Sequence, residues 1–307
     1  MAKRRKSSPA DGGGIGTILL LAFFIGLLIV GGIWLLKQKF AKGPDTPTIP
    51  TPPAQQTQSG AALNTGSMTF GGQPRSTSAK SAFTVLQNTG YVVGFSEDRR
   101  TPLWSSYRVF KTPPGPAPER PKGDFLTDFR TKIRVTHQDY TGSGYDRGHM
   151  APNFAIATRY GVQAQRETFF MTNICPQAPD LNQKVWENLE RAEIEFANNS
   201  EEIWVTAGPI FADMQSPPGV VKKLRSGVSV PVAFYKIIVD EQHARGGKPR
   251  LFAVIMPQTV KGTESPRQFT RSVREIEAQT ALDFLSELPP DVQAELESKA
   301  FSMWSTN

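Results

Sequence analysis

The sequence predicts an α+β domain carried behind an amino-terminal membrane span. Three observations predict it. Short runs of aromatic and β-branched residues, bounded by Gly, Pro or charge, recur beyond residue 83. An amphipathic repeat of about four turns interrupts them. One long apolar stretch without charge stands apart near the start. With 307 residues and a single cysteine, the chain is long enough for one or two globular domains and is not a disulfide-stapled mini-protein.

Residues 1–14 form a short tail with four basic residues, Lys3, Arg4, Arg5 and Lys6. The span IGTILLLAFFIGLLIVGGIWLL follows at 15–36, 22 residues without charge. As a helix it would extend roughly 33 Å, enough for the hydrocarbon core of a bilayer. The rival reading is a cleaved signal peptide, but the run is longer than the usual apolar region of about 7–15 residues and no A-x-A-like site follows it. Basic residues lie on both sides, so the positive-inside rule only weakly favours a cytoplasmic amino terminus.

Residues 37–82 read as a flexible linker, rich in Pro, Gln, Ser and Thr and almost devoid of large apolar side chains. About 40 such residues have a root-mean-square span of roughly 35 Å. The charge is concentrated in front of the domain. Of 35 basic and 28 acidic residues, seven and one lie within 1–42, which leaves 28 and 27 beyond. The total of +7 therefore gives no evidence of a basic domain surface.

In the domain, residues 83–303, strands are expected at 101–110, 167–175, 201–208, 230–239 and 250–257. Leu181, Val185, Trp186, Leu189, Ala192 and Phe196 recur at helical spacing over 180–199, with Asp180 in the N-cap position. Two further helices are expected at 272–285 and 290–299.

Cys175 alone builds neither a Cys-based zinc site nor an intrachain disulfide, and in a strand it reads as a small buried hydrophobe. The histidines are His137, His149 and His243. There is no H-E-x-x-H, P-loop or G-x-S-x-G, so zinc proteolysis, Walker-type hydrolysis and the commonest serine hydrolase layout lack their usual sequence support.

The stretch GSGYDRGHMAPN, 142–153, packs an acid, an arginine, a glycine and a histidine into four positions, followed by a Pro-Asn turn. On a strand Arg147 would point the same way as His149, placing a cation beside a base, and Gly148 would let the backbone approach a ligand. That pairing suits a phosphodiester, although a lone histidine is as readily structural. In TNICPQAPDLNQKVWENLE, 172–190, Asn182 opens the helix and Glu190 follows two turns later. An amide oxygen suits Mg²⁺, which keeps most of its waters. The alternative is that Asn182 caps the helix and Glu190 is a solvated surface acid.

Together these stretches resemble the DNA/RNA non-specific endonuclease family, the ββα-metal (His-Me finger) nucleases that include endonuclease G. The resemblance rests on DRGH at 146–149, MTN-x-x-PQ at 171–177, LNQ-x-x-W-x-x-LE at 181–190, VTAGP at 205–209, the region 232–238 and the terminal IEAQTALDFLSELPPDVQ. It implies a central antiparallel sheet flanked by helices, with a ββα-metal active-site motif. It further implies His149 as the general base activating water, and Asn182 as the direct ligand of one Mg²⁺, with Mn²⁺ as a substitute. Glu190 would work through the water shell of the ion, Arg147 would support the phosphate, and Asn173 would shape the site around His149. Arg120 is the best match for an arginine that relatives place ahead of the motif. The implied reaction is sugar-non-specific cleavage of DNA and RNA to 5′-phosphate ends, and the resemblance also admits a homodimer.

An active nuclease facing the cytoplasm would attack the cell's own nucleic acid. The expected topology is therefore a cytoplasmic amino terminus with an extracytoplasmic catalytic domain, periplasmic or on the surface; a mitochondrial membrane is the alternative compartment. The alternative function is a catalytically silent, membrane-tethered nucleic-acid-binding protein.

Overall fold

The computed structural model describes residues 67–123, 125–241 and 249–305. The tail, the apolar span and most of the linker lie outside the described residues, as does His243. Among the described residues no helix is long and apolar enough to cross a membrane.

Seven strands build one antiparallel sheet. They are β2 (Thr84–Gln87), β3 (Val92–Ser96), β4 (Thr101–Phe110), β7 (Glu202–Ile210), β8 (Ala233–Asp240), β9 (Arg250–Pro257) and β10 (Thr270–Arg271), in the order β10-β9-β8-β7-β4-β3-β2. The central strands are buried on both faces, which is why they read as near-continuous apolar runs in the sequence. Along β8 the alternation is clear: Phe234 and Ile238 enter one core, while Tyr235, Ile237 and Val239 enter a second core on the other face. Mixed α and β structure around a large antiparallel sheet is therefore observed.

The first core is covered by α1 (Asn153–Glu167) and α2 (Glu187–Ser200), the second by α3 (Val273–Thr280) and α4 (Pro290–Glu297). Two short ribbons complete the fold. β1 (Arg75–Ser76) pairs with β11 (Leu282–Asp283), and β5 (Asp146–His149) pairs with β6 (Ile174–Gln177).

Several local expectations need correction. Residues 167–175 do not form one strand: α1 ends at Glu167, Phe170 makes only an isolated bridge to Leu126, a 3-10 turn covers Met171–Asn173, and the β5–β6 ladder begins at Ile174. The apolar residues there are buried by turns rather than by a ladder. The helix expected over 272–285 ends at Thr280, because Ala281 turns left-handed at φ 51° and sends Leu282 and Asp283 to β1. The Pro-Asn turn is the start of α1, with Pro152 as its N-cap. Residues 67–82, read as the end of the linker, pack onto the domain through β1 and the buried Ser81.

Candidate active site

The β5–β6 ribbon carries the DRGH tetrapeptide in the register Asp146↔Gln177, Arg147↔Pro176, Gly148↔Cys175 and His149↔Ile174. Strand alternation turns Arg147 and His149 to the same side, and both line one cleft of about 910 Å³. Arg120, Asn182 and Glu190 line the same cleft. Five of the six site residues expected from the sequence thus converge.

The sixth, Asn173, lies behind the wall. Fully buried, it accepts hydrogen bonds through Oδ1 from the Ala151 amide at 2.9 Å and the Ser105 hydroxyl at 3.1 Å. Its Nδ2 donates to the carbonyls of Ala151 and Thr168, both at 3.0 Å. Asn173 therefore fixes the turn that follows His149 and does not face the cleft.

Gly148 has a different role from the one its type suggests. A Cβ there would lie 2.1 Å from Gln177 Oε1, so the missing side chain makes room for the buried Gln177 rather than for a ligand. Cys175, opposite it, is a buried thiol whose pKa burial raises well above the ordinary value, as a small hydrophobe requires.

His149 sits between two aromatic rings, with Phe125 at 5.4 Å and Phe169 at 5.5 Å between centroids. The ring is partly exposed at the cleft wall, while its Nε2 is buried and has no hydrogen-bond partner. Burial, with the nearby charge of Arg120, lowers the His149 pKa to about 3. The imidazole is thereby neutral, the form a general base needs, and the same burial makes it a weaker base than a free histidine. The Arg147 guanidinium donates to the His137 carbonyl at 2.7 Å and to Thr141 Oγ1 at 3.1 Å, which braces it against the turn ahead of β5. The Arg120 guanidinium lies over the Phe169 ring at 5.2 Å.

On the opposite wall, Leu181–Trp186 forms a π-helical turn that runs directly into α2. Asp180 does not cap it; its backbone is helical and its carboxylate pairs with Lys184 at 2.6 Å. The wider turn places Asn182 against β5, where Asp146 Oδ2 accepts from Asn182 Nδ2 at 2.9 Å and from Gln183 Nε2 at 2.7 Å. With Nδ2 so committed, Oδ1 is the coordinating atom Asn182 has to offer. One helical face of α2, carrying Glu187, Glu190, Arg191 and Ile194, continues the wall. Burial pushes Glu190 up to about 7, against the opposing pull of Lys236. Lys236 and Glu193 form a fully buried ion pair beneath this helix, joined by the Tyr107 hydroxyl at 2.9 Å from Glu193.

An oriented amide oxygen and a carboxylate in one polar cleft are hard oxygen donors that fit a divalent cation. Sequence reasoning did not assign Asp146, Phe125 or Phe169. Asp146 stood inside the quoted motif, but only the pairing of β5 beside the π turn shows what its carboxylate holds.

Residues 74–291 match the DNA/RNA non-specific endonuclease family. A nuclease of Nostoc sp. (strain PCC 7120 / SAG 25.82 / UTEX 2576) is 33% identical over 218 residues, covering 68% of this chain and 76% of its own length. Mitochondrial endonuclease G of Homo sapiens is 32% identical over 210 residues, covering 64% of this chain and 67% of its own length. Among solved structures, a chain of the crystal structure of the EndoG/EndoGI complex aligns with a TM-score of 0.60 at 25% identity, over 67% of this chain and 86% of that one.

Proposed function

The chain belongs to the DNA/RNA non-specific endonuclease family, and on that premise we propose that it is a Mg²⁺-dependent, sugar-non-specific endonuclease tethered to a membrane. The observation that carries the reading is the convergence in one cleft of a neutral His149, an Asn182 amide oriented by Asp146, Glu190, and the guanidinium groups of Arg147 and Arg120.

In this reading His149 removes a proton from water as the oxygen attacks phosphorus in line. The P–O3′ bond breaks, the phosphate stays on the 5′ side, and the 3′ oxygen takes a proton from a second water. Arg147, braced by His137 and Thr141, and Arg120 bind the non-bridging oxygens. Asn182 Oδ1 would hold the cation and Glu190 its hydration shell. When bound, Mg²⁺, or Mn²⁺ in its place, neutralises charge on the phosphate and the leaving oxygen. Asn173 keeps His149 in place from behind.

We place the anchor at residues 15–36, followed by a tether that ends near residue 66, with the amino terminus cytoplasmic and the catalytic domain outside. Protease protection on intact cells or organelles decides this topology and tests the mitochondrial alternative.

The activity test uses residues 65–307, the compact unit of the chain. Circular duplex DNA and single-stranded RNA are incubated with Mg²⁺ or EDTA, beside His149→Ala. Expected are Mg²⁺-dependent cutting of both substrates and a loss of about 10²–10⁴-fold in the variant. Folded protein that binds nucleic acid with Mg²⁺ present and cuts neither substrate would establish the silent binding module instead.

A further inference from the structure

On the sheet face away from the cleft, three carboxylates converge where the carboxy-terminal elements meet. Glu277 lies on α3, Asp283 on β11 and Glu297 on α4, and each offers an oxygen within 4.8 Å of the other two. Their neighbours Ile276, Leu282 and Leu296 belong to the second core, whereas Trp186 and Leu189, on the π turn and helix whose other face lines the cleft, belong to the first.

A cluster of acids alone is ordinary surface chemistry, but Glu297 is not at the surface. It is 5% exposed, and its Oε1 is buried without a hydrogen-bond partner while its carboxylate faces the other two; Gln293 and Arg274 are the nearby groups that favour its charge, and burial outweighs them. A buried carboxylate oxygen left unpaired costs free energy unless something positive sits against it. One oxygen of Glu277 already accepts the Phe284 amide at 2.9 Å, which fixes that carboxylate and leaves its second oxygen free to coordinate.

The number of carboxylates suits a particular ion. Mg²⁺ usually keeps several waters and is held by one or two carboxylates, whereas Ca²⁺ takes more oxygen ligands and accommodates all three carboxylates. Ca²⁺ also accepts an irregular set of carboxylates completed by water.

We propose that Glu277, Asp283 and Glu297 form a Ca²⁺ site, separate from the catalytic cleft, that clamps α3 and α4 to the β1–β11 ribbon. The site closes the carboxy-terminal segment onto the strand that begins the domain. It rests on the fold alone and stands whether or not the nuclease reading does. The competing arrangement is a proton-sharing acid group: burial pushes Glu277 up to about 7 and raises Glu297.

The test uses the full chain in detergent, stripped with EDTA and desalted, with thermal unfolding followed as Ca²⁺ is added. At saturating Ca²⁺, Tm should rise by about 5–10 °C in wild type. The same rise is expected in Asn182→Ala, which disables the proposed catalytic cation site, and none in the double variant Glu277→Gln/Glu297→Gln. No rise in wild type overturns the proposal and leaves the proton-sharing group. A rise lost in Asn182→Ala, or kept in the double variant, overturns it by placing the ion elsewhere. Should the double variant not fold, Asp283→Asn serves with calorimetry of Ca²⁺ binding: a loss of at least about tenfold in affinity supports the site, and unchanged affinity rejects it.

Discussion

Two titratable side chains face the same cleft with opposite tendencies. Burial and the charge of Arg120 lower His149 to about 3, so it is neutral across the physiological range. Burial pushes Glu190 up to about 7. A carboxyl with a raised pKa keeps its proton below that value, so Glu190 becomes anionic only as pH rises through about 7. The cation it is proposed to hold in place binds more tightly as that happens, because proton and metal compete. The acid limb of kcat/KM is therefore expected from Glu190 rather than from His149. At low Mg²⁺ the limb should lie near pH 7; at high Mg²⁺ it should move to lower pH, and Glu190→Gln should abolish that movement. The His149 ring resonances should meanwhile titrate well below the usual value of about 6.5. A limb insensitive to Mg²⁺ would return the acid limb to His149.

At the scale of elements, the β5–β6 ribbon and the π turn together assemble the site, and the ribbon's register depends on Gly148. An added methyl would meet Gln177 Oε1 at 2.1 Å and Gln177 Cβ at 2.6 Å, and Gln177 is fully buried with no room to retreat. Gly148→Ala should destabilise the domain by about 1–3 kcal/mol, the usual range for overpacking. It should also lower kcat by displacing His149 next to it. Urea unfolding with an unchanged m-value, read beside kcat, checks both effects; a variant of wild-type stability would mean the ribbon can slip without consequence. The same elements mark where the sequence was legible. The run TPLWSSYRVF is β4 and RLFAVIMP is β9, residue for residue, because strands buried on both faces announce themselves as apolar runs. DRGH, Asn182 and Glu190 could be picked out because rare residue types crowd into short motifs. The π turn could not be read, since its apolar spacing is the same as that of an ordinary helix. Asp146's hold on Asn182 crosses 36 positions of chain. Phe125 and Phe169, which flank His149, carry no local pattern that separates them from core residues.

At the scale of the whole molecule, the near balance of 28 basic and 27 acidic residues beyond Gly43 supplies no overall attraction for nucleic acid, and the cleft is where a local one is expected. Three arginines line it, Arg120, Arg147 and Arg191, and the last is paired with Glu187 at 2.6 Å. Each phosphate neutralised by a protein cation contributes about −0.9 to the slope of log affinity against log salt on duplex DNA. With Arg191 engaged by Glu187, the two assigned to phosphate, Arg120 and Arg147, set an expected slope of about −1.8, modest for a nucleic-acid-binding protein. Binding of uncleaved duplex by the His149→Ala protein between low and physiological salt measures it. Arg120→Ala should flatten the slope by about 1 and weaken all sequences alike, because a phosphate contact carries no base information. A slope of roughly −6 or steeper would require cations well beyond the cleft and would assign binding to a broad basic surface. A slope unchanged in Arg120→Ala would remove that residue from the substrate path.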